Sequence, residues 1–270
     1  MLESNSFVCA LLLGLGLAYG SAWSQQDERR SVPGVDLPEA RADFSGCIAQ
    51  FAGGVAPIVP DLASRRARPL CFDGFAVMHS GESTTAIFSA SVLNRQRVQA
   101  AKSNRRTDFF FSDARLPRTE RATLEDYAGS GFDRGYLSPA GDQDTPEGMA
   151  QSFSLANIVP QATENNRGVW SKIKQDTRKY VERARGNVYV ITGVVSLPGQ
   201  CPISAPSCTI GAEVKVPSHL YKLVFDSTTR RAWAHWIENR NVAEISRPIS
   251  YEELVRRVGV EFLPGLSPRF

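Results

Sequence analysis

The 270-residue sequence is missing several features that would place it in a common structural class. It has no C-x-x-C spacing and no histidine beside any of its five cysteines, which argues against a structural zinc site. It has no zinc-finger, RNA-recognition or basic-zipper pattern, no internal repeat and no low-complexity array. The sequence therefore excludes repeat architectures and the common modules that read nucleic-acid sequence.

An excess of charge is also missing. The chain has 31 Lys and Arg against 28 Asp and Glu, a formal net charge of +3, and its basic residues are scattered over different segments. A mildly basic chain permits a polyanionic partner but does not require one. The hydrophobic content of 42% is enough for a buried core, and we expect the chain to fold on its own.

No apolar run is long enough for an ordinary transmembrane helix. The run from Phe7 to Gly20 precedes Ala22-Trp23-Ser24, where small residues suit a signal peptidase, and predicts a signal peptide over residues 1–24. An uncleaved anchor is the alternative, because Glu3 is the only charged residue before the run. Cleavage would give a periplasmic or secreted protein without stable membrane association.

The next segment, residues 25–43, is polar, with scattered prolines and no apolar period. It predicts a flexible N-terminal arm, followed by one folded domain over residues 44–270.

Four cysteines remain after residues 1–24, namely Cys47, Cys71, Cys201 and Cys208. An even set in an exported chain predicts two disulfides, for which three pairings exist. The short loop between Cys201 and Cys208 makes that pair the simplest one, which leaves Cys47 for Cys71.

Runs rich in β-branched and aromatic residues, separated by polar turns, predict a mainly antiparallel sheet. Two strands over Leu70–His79 and Thr84–Leu93 form a predicted hairpin. Three further strands are predicted over Val188–Val195, Leu220–Phe225 and Arg231–Ile237. Strands and helices do not alternate regularly, so the fold class is predicted as α+β rather than doubly wound.

Two flanking helices are predicted. Apolar residues at helical spacing indicate a long helix over Arg167–Arg185. Ser250-Tyr251-Glu252-Glu253 fits a capping box and predicts a short helix that runs through Arg257.

Two motifs carry the chemical content of the sequence. Asp133-Arg134-Gly135-Tyr136 is followed about 20 residues later by Asn157-Ile158-Val159-Pro160-Gln161, and then by Asn166 and Trp170 at the start of the long helix. Their order and spacing resemble the DNA/RNA non-specific endonuclease family, the endonuclease G type of ββα-metal nucleases. The hallmark of that family is D-R-G-H, then N-x-x-P-Q, then N-x-x-x-W, and the resemblance covers roughly residues 70–262.

The resemblance implies a ββα-metal finger on a mainly antiparallel central sheet. It implies hydrolysis of DNA and RNA without sequence preference, leaving 5′-phosphate ends. It also implies one hydrated Mg²⁺, with Mn²⁺ as a substitute, held by a single asparagine that matches Asn166. It leaves homodimer formation open.

Further site residues follow from the same resemblance. Arg134 matches an arginine that grips phosphate oxygens, and Arg106 is the better match for a second, upstream arginine, with Arg121 as the runner-up. Asp133 is expected at the nucleic-acid interface, where it would hold the strand-to-loop turn or a partner of Arg134. Asn157 belongs to the amide cluster expected to face the ligand.

Tyr136 departs from the family, which has a histidine here as general base. An ordinary tyrosine is only about one part in a thousand phenolate at pH 7. Either Arg134 and the cation lower its pKa so that the phenolate acts as base, or Tyr136 only positions water or phosphate, in an enzyme of weak activity or a protein that binds without cutting. The third alternative is a relocated histidine, for which the candidates are His79, His219 and His235.

Lys174 is a second departure, because family members commonly have glutamate at this position. It lies eight residues after Asn166, and one continuous helix would place both on the same face. A lysine there would contact phosphate directly, or it would be an ordinary surface lysine.

Overall fold

The computed structural model describes residues 43–202, 208–241 and 245–270. The predicted signal peptide and residues 25–42 of the predicted arm lie outside these ranges. Within them the strands are β1 (Ala67–Cys71), β2 (Ala76–Ser80), β3 (Thr85–Leu93), β4 (Phe132–Tyr136), β5 (Ile158–Ala162), β6 (Val188–Val195), β7 (Thr209–Ile210), β8 (Val214–Lys215), β9 (His219–Asp226) and β10 (Arg231–Glu238).

The α-helices of the same residues are α1 (Arg95–Ala101), α2 (Leu124–Tyr127), α3 (Pro146–Gln151), α4 (Thr163–Arg167), α5 (Val169–Arg183) and α6 (Tyr251–Val258). Short 3₁₀ helices lie at Ser45–Gln50, Ala52–Gly54, Arg118–Glu120, Ala140–Asp142 and Leu155–Asn157. No helix in the described ranges is both long and apolar enough to cross a membrane.

The central element is a six-stranded sheet in the order β1-β2-β3-β6-β9-β10, in which every neighbouring pair is antiparallel. It confirms the predicted α+β class. β6 coincides with the predicted strand Val188–Val195, and β9 and β10 each extend the predicted strand by one or two residues.

The prediction of a single strand over Leu70–His79 is wrong. The N–H of Phe72 donates to the carbonyl of Phe75 over 2.9 Å, so the chain reverses there and β1 pairs back onto β2. Asp73-Gly74 is a strong hairpin-turn sequence, but apolar residues on both sides of it hid the turn. The predicted second strand corresponds to β3, which pairs with β2.

Layers cover both faces of the sheet because neighbouring strand residues point to opposite faces. Ile191 belongs to a buried cluster with Leu254 of α6, whereas Val190 and Val224 pack with Val181 of α5. Full burial of one aliphatic side chain contributes about 1.5–3 kcal/mol. The two layers therefore hold the sheet from both sides, and α5 is fixed firmly on one of them.

A second unit, the finger, consists of β4, β5 and α4. β4 and β5 form an antiparallel pair outside the main sheet, and α4 follows β5 directly. Val159 of β5 and Trp170 of α5 share a buried cluster with Leu220 and Ile237 of the sheet. The finger thus has the ββα order that the resemblance implies, and it is packed on the α5 side of the sheet.

The long helix is shorter than predicted because the chain breaks at Gly168. This residue has φ −98° and ψ −99° and separates α4 from α5, and a Cβ on it would lie 2.8 Å from the carbonyl oxygen of Glu164. The apolar periodicity begins after the break, so the sequence signal described α5 alone. Asn166 and Lys174 consequently lie on different helices.

The remaining local predictions concern covalent and capping contacts. The structure contains both disulfides, Cys47–Cys71 with a Cα separation of 5.5 Å and Cys201–Cys208 with 5.6 Å. The Ser250 side chain accepts the N–H of Glu253 over 3.2 Å, which confirms it as the N-cap of α6.

Candidate active site

The pairing of β4 with β5 determines which motif side chains meet. Gly135 lies opposite Val159, and a Cβ on Gly135 would come within 2.4 Å of Oε1 and 2.7 Å of Cβ of Gln161. Only glycine fits this approach. Because strand residues alternate, Arg134 and Tyr136 project from one face of β4 and Asp133 from the other.

Tyr136 lies among aromatic rings, with the Arg106 guanidinium at its hydroxyl. Its ring meets Phe153 edge-on at 5.4 Å and Phe110 at 5.6 Å between ring centroids. Its hydroxyl accepts from Nη2 of Arg106 over 3.4 Å. Burial raises the pKa of Tyr136 to about 12, although the charge of Arg106 acts in the opposite direction. The phenol is therefore protonated at neutral pH, and the protein surroundings do not produce the lowered pKa that a phenolate base requires.

Arg134 is exposed and stacked. Its guanidinium carbon lies 4.2 Å from the ring centroid of Phe110, whose other neighbours include Tyr136. The ring holds the guanidinium beside it, and none of the described residues accepts a hydrogen bond from its N–H groups, so they can bind a phosphate. The adjacent carboxylate, Asp133, pairs with Arg167 instead of Arg134.

Asp133 joins β4 to α4. Its Oδ2 accepts from Nδ2 of Asn166 over 3.0 Å and from Nε of Arg167 over 2.9 Å, and its Oδ1 accepts from Nη2 of Arg167 over 2.8 Å and from Thr163 over 3.4 Å. Burial alone would raise the pKa of Asp133, but the bonds from Arg167 and Asn166 outweigh it and hold the pKa below its ordinary value. The carboxylate is thus occupied by side chains of the finger, and its place at the nucleic-acid interface stays a prediction.

Asn166 has an amide oxygen, Oδ1, that can serve as a ligand to a hydrated divalent cation. Its Nδ2 is bound to Asp133, and its Oδ1 has no hydrogen-bond donor among the residues described. No group of three or more His, Cys, Asp and Glu side chains in the described ranges is arranged to hold a metal. Mg²⁺ keeps several waters and accepts one or two protein ligands, so a site built on a single amide oxygen fits it.

Asn157 has a different position from the one predicted. It is fully buried, its Oδ1 accepts the N–H of Ser138, and its Nδ2 donates to the carbonyls of Ser138 and Ser152. Its side chain is therefore unavailable to nucleic acid. It fixes instead the chain that follows Tyr136.

Of the two upstream arginines, the structure brings Arg106 to Tyr136. Arg121 donates Nη1 to the carbonyls of Asp113 and Leu116, each over 3.4 Å, which uses its guanidinium to support its own loop. The choice of Arg106 thus has a geometric basis that Arg121 does not have.

Lys174 is half-buried on α5. Burial lowers its pKa to about 8; Asp142 opposes this shift, and the charges of Arg178 and Arg106 add to it. Asp142 is paired with Arg178 over 2.8 Å. Lys174 therefore lies in the same positive region as Arg106, although a helix break separates it from Asn166.

The three histidines occupy structural positions. His79 is fully buried with Nε2 at 2.6 Å from the carbonyl of Glu120, and burial lowers the pKa of His79 and of His235 to about 4. His219 stacks on Trp236 at 4.8 Å. Within the described part of the chain, none of them contacts Tyr136, so the structure offers no support for a relocated base.

Three residues that hold the finger in place were missed from the sequence. Arg167 forms an ion pair with Asp133. Asn165 is fully buried and donates to the carbonyl of Glu238 over 2.8 Å, and Asn239 accepts the N–H of Ala162 over 2.9 Å. The two amides dock the finger onto the end of β10. Their partners lie more than 70 residues away in the chain, and the only local signal was the richness in amides.

The chain is similar in sequence to known nucleases. The chain is 43% identical to mitochondrial nuclease EXOG of Xenopus laevis over 120 residues, which covers 43% of this chain and 33% of that protein. It is 29% identical to mitochondrial endonuclease G of Bos taurus over 292 residues, 96% of this chain and 93% of that protein. The chain spans between about a third and a half of the length of the EXOG relatives from Xenopus laevis, Mus musculus and Homo sapiens.

A solved structure of EndoG in complex with EndoGI shares the fold. It superposes with a TM-score of 0.63 at 22% identity and covers 74% of this chain and 86% of that one. The relatives also correct one prediction, since the matching nucleases of Xenopus laevis, Bos taurus and Schizosaccharomyces pombe are mitochondrial. The predicted periplasmic or secreted location is therefore contradicted.

The family model for DNA/RNA non-specific endonucleases matches residues 58–269, which include the main sheet, the finger and α5. The matched range includes the candidate site residues Arg106, Asp133, Arg134, Tyr136, Asn166 and Lys174. The chain therefore belongs to the DNA/RNA non-specific endonuclease family.

Proposed function

We propose that this chain hydrolyses phosphodiester bonds of DNA and RNA without sequence preference, using one Mg²⁺-type cation and leaving 5′-phosphate ends. The observation that carries the proposal is that the finger combines a free amide oxygen, Asn166 Oδ1, with an exposed stacked guanidinium, Arg134. Phosphate contacts of this kind carry no sequence information, which suits a non-specific nuclease.

Asn166 would hold the cation through Oδ1, with water in the other positions, and Mn²⁺ would serve as a substitute. When bound, the cation would polarise the scissile phosphate and stabilise the departing 3′ oxygen. Asp133 keeps Nδ2 of Asn166 occupied, so that the oxygen end of the amide is the end presented.

Positive side chains would bind the phosphates. Arg134 offers a planar set of donors, Arg106 lies beside the Tyr136 hydroxyl, and Lys174 adds an ammonium in the same region. Charge-assisted bonds to phosphate oxygens fix the strand against the finger.

Tyr136 would orient water rather than deprotonate it. With a pKa of about 12, the phenolate fraction at pH 7 is only ~10⁻⁵, so a base role has no support from this environment. The hydroxyl accepts from Arg106 and keeps its own O–H to donate. Water activation without a protein base predicts a slow enzyme.

The same observation favours a second candidate, a relative that binds nucleic acid without efficient cleavage. The two are distinguished by incubating supercoiled plasmid and single-stranded RNA with the oxidised protein in Mg²⁺ or in EDTA, alongside Asn166→Ala. Metal-dependent cutting that Asn166→Ala abolishes supports the nuclease. Nucleic acid that shifts on a gel in EDTA and stays uncut in Mg²⁺ supports the binding protein.

A further inference from the structure

Arg167 has no counterpart among the motif residues, yet it makes the best-formed ion pair of the finger. It is the last residue of α4 and directly follows Asn166. Its Nε and Nη2 donate to the two oxygens of Asp133 over 2.9 and 2.8 Å, although 72% of its side chain is exposed. Two parallel bonds between a guanidinium and a carboxylate fix the plane of the carboxylate as well as its position.

The fixed carboxylate acts on its neighbour. Oδ2 of Asp133 accepts from Nδ2 of Asn166 over 3.0 Å. A side-chain amide has a donor end and an acceptor end, so an acceptor that holds Nδ2 leaves Oδ1 turned away from it. A half-turn of the same amide would present its NH₂ group, which cannot bind a cation.

We propose that Arg167 is a positioning residue of the cation site, which acts through Asp133 and sets the direction of Asn166 Oδ1. The proposal rests on the proposed function, in which Asn166 is the protein ligand. Partners behind a metal ligand commonly change metal affinity by about 10- to 100-fold when they are removed.

The direction in which cation affinity changes when Arg167 is replaced distinguishes a positioning role from a purely electrostatic effect. Arg167 is positive and close to Asn166, so loss of its charge alone would tighten the binding of a cation. Loss of orientation would weaken it. An exposed arginine that merely contacts phosphate would change nucleic-acid binding and leave cation binding without nucleic acid unchanged or tighter.

The test measures Mn²⁺ affinity by electron paramagnetic resonance without nucleic acid, and DNA affinity in EDTA. The expected results are a 10- to 100-fold weaker Mn²⁺ affinity for Arg167→Ala and an intermediate value for Arg167→Lys, which cannot make both bonds. Unchanged or tighter Mn²⁺ binding by Arg167→Ala overturns the proposal. Arg183→Ala, at the exposed end of α5, is the control and should match the unaltered protein.

A double-mutant cycle tests the route through Asp133. If Arg167 acts only through this carboxylate, Asp133→Ala with Arg167→Ala binds Mn²⁺ no more weakly than Asp133→Ala alone. Additive losses overturn that route, provided circular dichroism melts show each variant folded. Asn166→Ala tests the cation ligand separately from the positioning role of Arg167. If Asn166→Ala keeps full Mn²⁺ affinity, the assignment of Asn166 as the cation ligand fails. If Asn166→Ala loses Mn²⁺ affinity and Arg167→Ala does not, only the positioning role of Arg167 is refuted.

Discussion

Two residues of the candidate site, Tyr136 and Lys174, have pKa values that the family motif does not predict. Tyr136 is protonated because its aromatic surroundings disfavour the phenolate more than Arg106 favours it. Lys174 loses its proton more easily than an ordinary lysine because it is half-buried among other positive charges. The residue types could be read from the sequence, but neither protonation state could, since each depends on burial by residues distant in the chain.

Replacing Tyr136→His should raise the rate of plasmid cleavage in Mg²⁺ at pH 7.5 by about 100-fold or more, because a general base contributes about 10²–10⁴-fold. An ordinary histidine has a pKa near 6.5 and is mostly neutral at that pH. Initial rates of supercoil loss measure the change. Tyr136→Phe keeps the ring against Phe110 and Phe153 and should not gain activity, and adding Asn166→Ala to Tyr136→His should remove the gain. A Tyr136→His protein no faster than the unaltered one would contradict the assignment of this position.

The lowered pKa of Lys174 predicts that DNA affinity depends on pH. Its pKa of about 8 means that its ammonium is charged below pH 8 and neutral above, so a phosphate contact is lost as pH rises from 7 to 9.5. DNA affinity in EDTA at constant salt should fall about 10-fold or more over that range, since a hydrogen bond to a charged group contributes about 1.5–3 kcal/mol.

The matched variant is Lys174→Arg, whose charge persists above pH 12 and whose affinity should stay constant from pH 7 to 9.5. Lys222 has a pKa lowered to about 7 by burial, but it is fully buried and bonded to Thr192, so it cannot replace the contact. An equal fall in affinity for Lys174→Arg would exclude Lys174 as the titrating group.

At the level of secondary-structure elements, the parts that sequence predicts well are those whose signals are local. β6 is rich in β-branched residues, and α6 has its serine cap, so both lie where predicted. The turn at Asp73-Gly74 was missed because apolar residues lie on both sides of it, and the break at Gly168 was missed because the apolar periodicity that indicated the helix begins only after it. The finger itself followed from family motifs rather than from periodicity, since β4 has only five residues.

Replacement of Gly135 tests whether the close approach of β4 to β5 in the finger requires glycine. Gly135→Ala would place a methyl group 2.4 Å from Oε1 of Gln161, and Gln161 also donates to Asn165 at the start of the docking contacts. Overpacking of this kind costs about 1–3 kcal/mol, which corresponds to a fall in Tm of roughly 2–12 °C for a domain of this size. Cleavage should fall with it, as thermal melts and plasmid assays would measure.

The control for this change is Gly141→Ala, where a Cβ would meet Nη1 of Arg178 at an ordinary 3.6 Å. Its Tm and activity should stay near those of the unaltered protein. Equal tolerance of alanine at Gly135 and Gly141 would mean that the close approach of β4 to β5 does not require glycine.

The candidate active site and the Cys47–Cys71 disulfide lie on opposite faces of the central sheet. The finger and α5 cover one face of the sheet, whereas the Cys47–Cys71 bridge joins a 3₁₀ helix to β1 within the buried cluster on the other face. Cysteine count and loop length were enough to predict both bridges. The side of the sheet on which each lies depends on strand order, which the sequence did not reveal.

The two bridges should therefore contribute unequally to stability. Loop entropy assigns about 3 kcal/mol to Cys47–Cys71, with a sequence separation of 24, and about 2 kcal/mol to Cys201–Cys208, with a separation of 7. Urea unfolding of Cys47→Ala/Cys71→Ala and of Cys201→Ala/Cys208→Ala measures the two losses, and the dithiothreitol-reduced protein should match the sum. Because the Cys47–Cys71 bridge lies across the sheet from the finger, its removal should lower the urea midpoint of unfolding. The rate of plasmid cleavage per folded molecule should stay unchanged. A larger stability loss for the Cys201→Ala/Cys208→Ala protein would contradict the ranking by loop length. Slower cleavage by the fully folded Cys47→Ala/Cys71→Ala protein would show that the two layers are not independent.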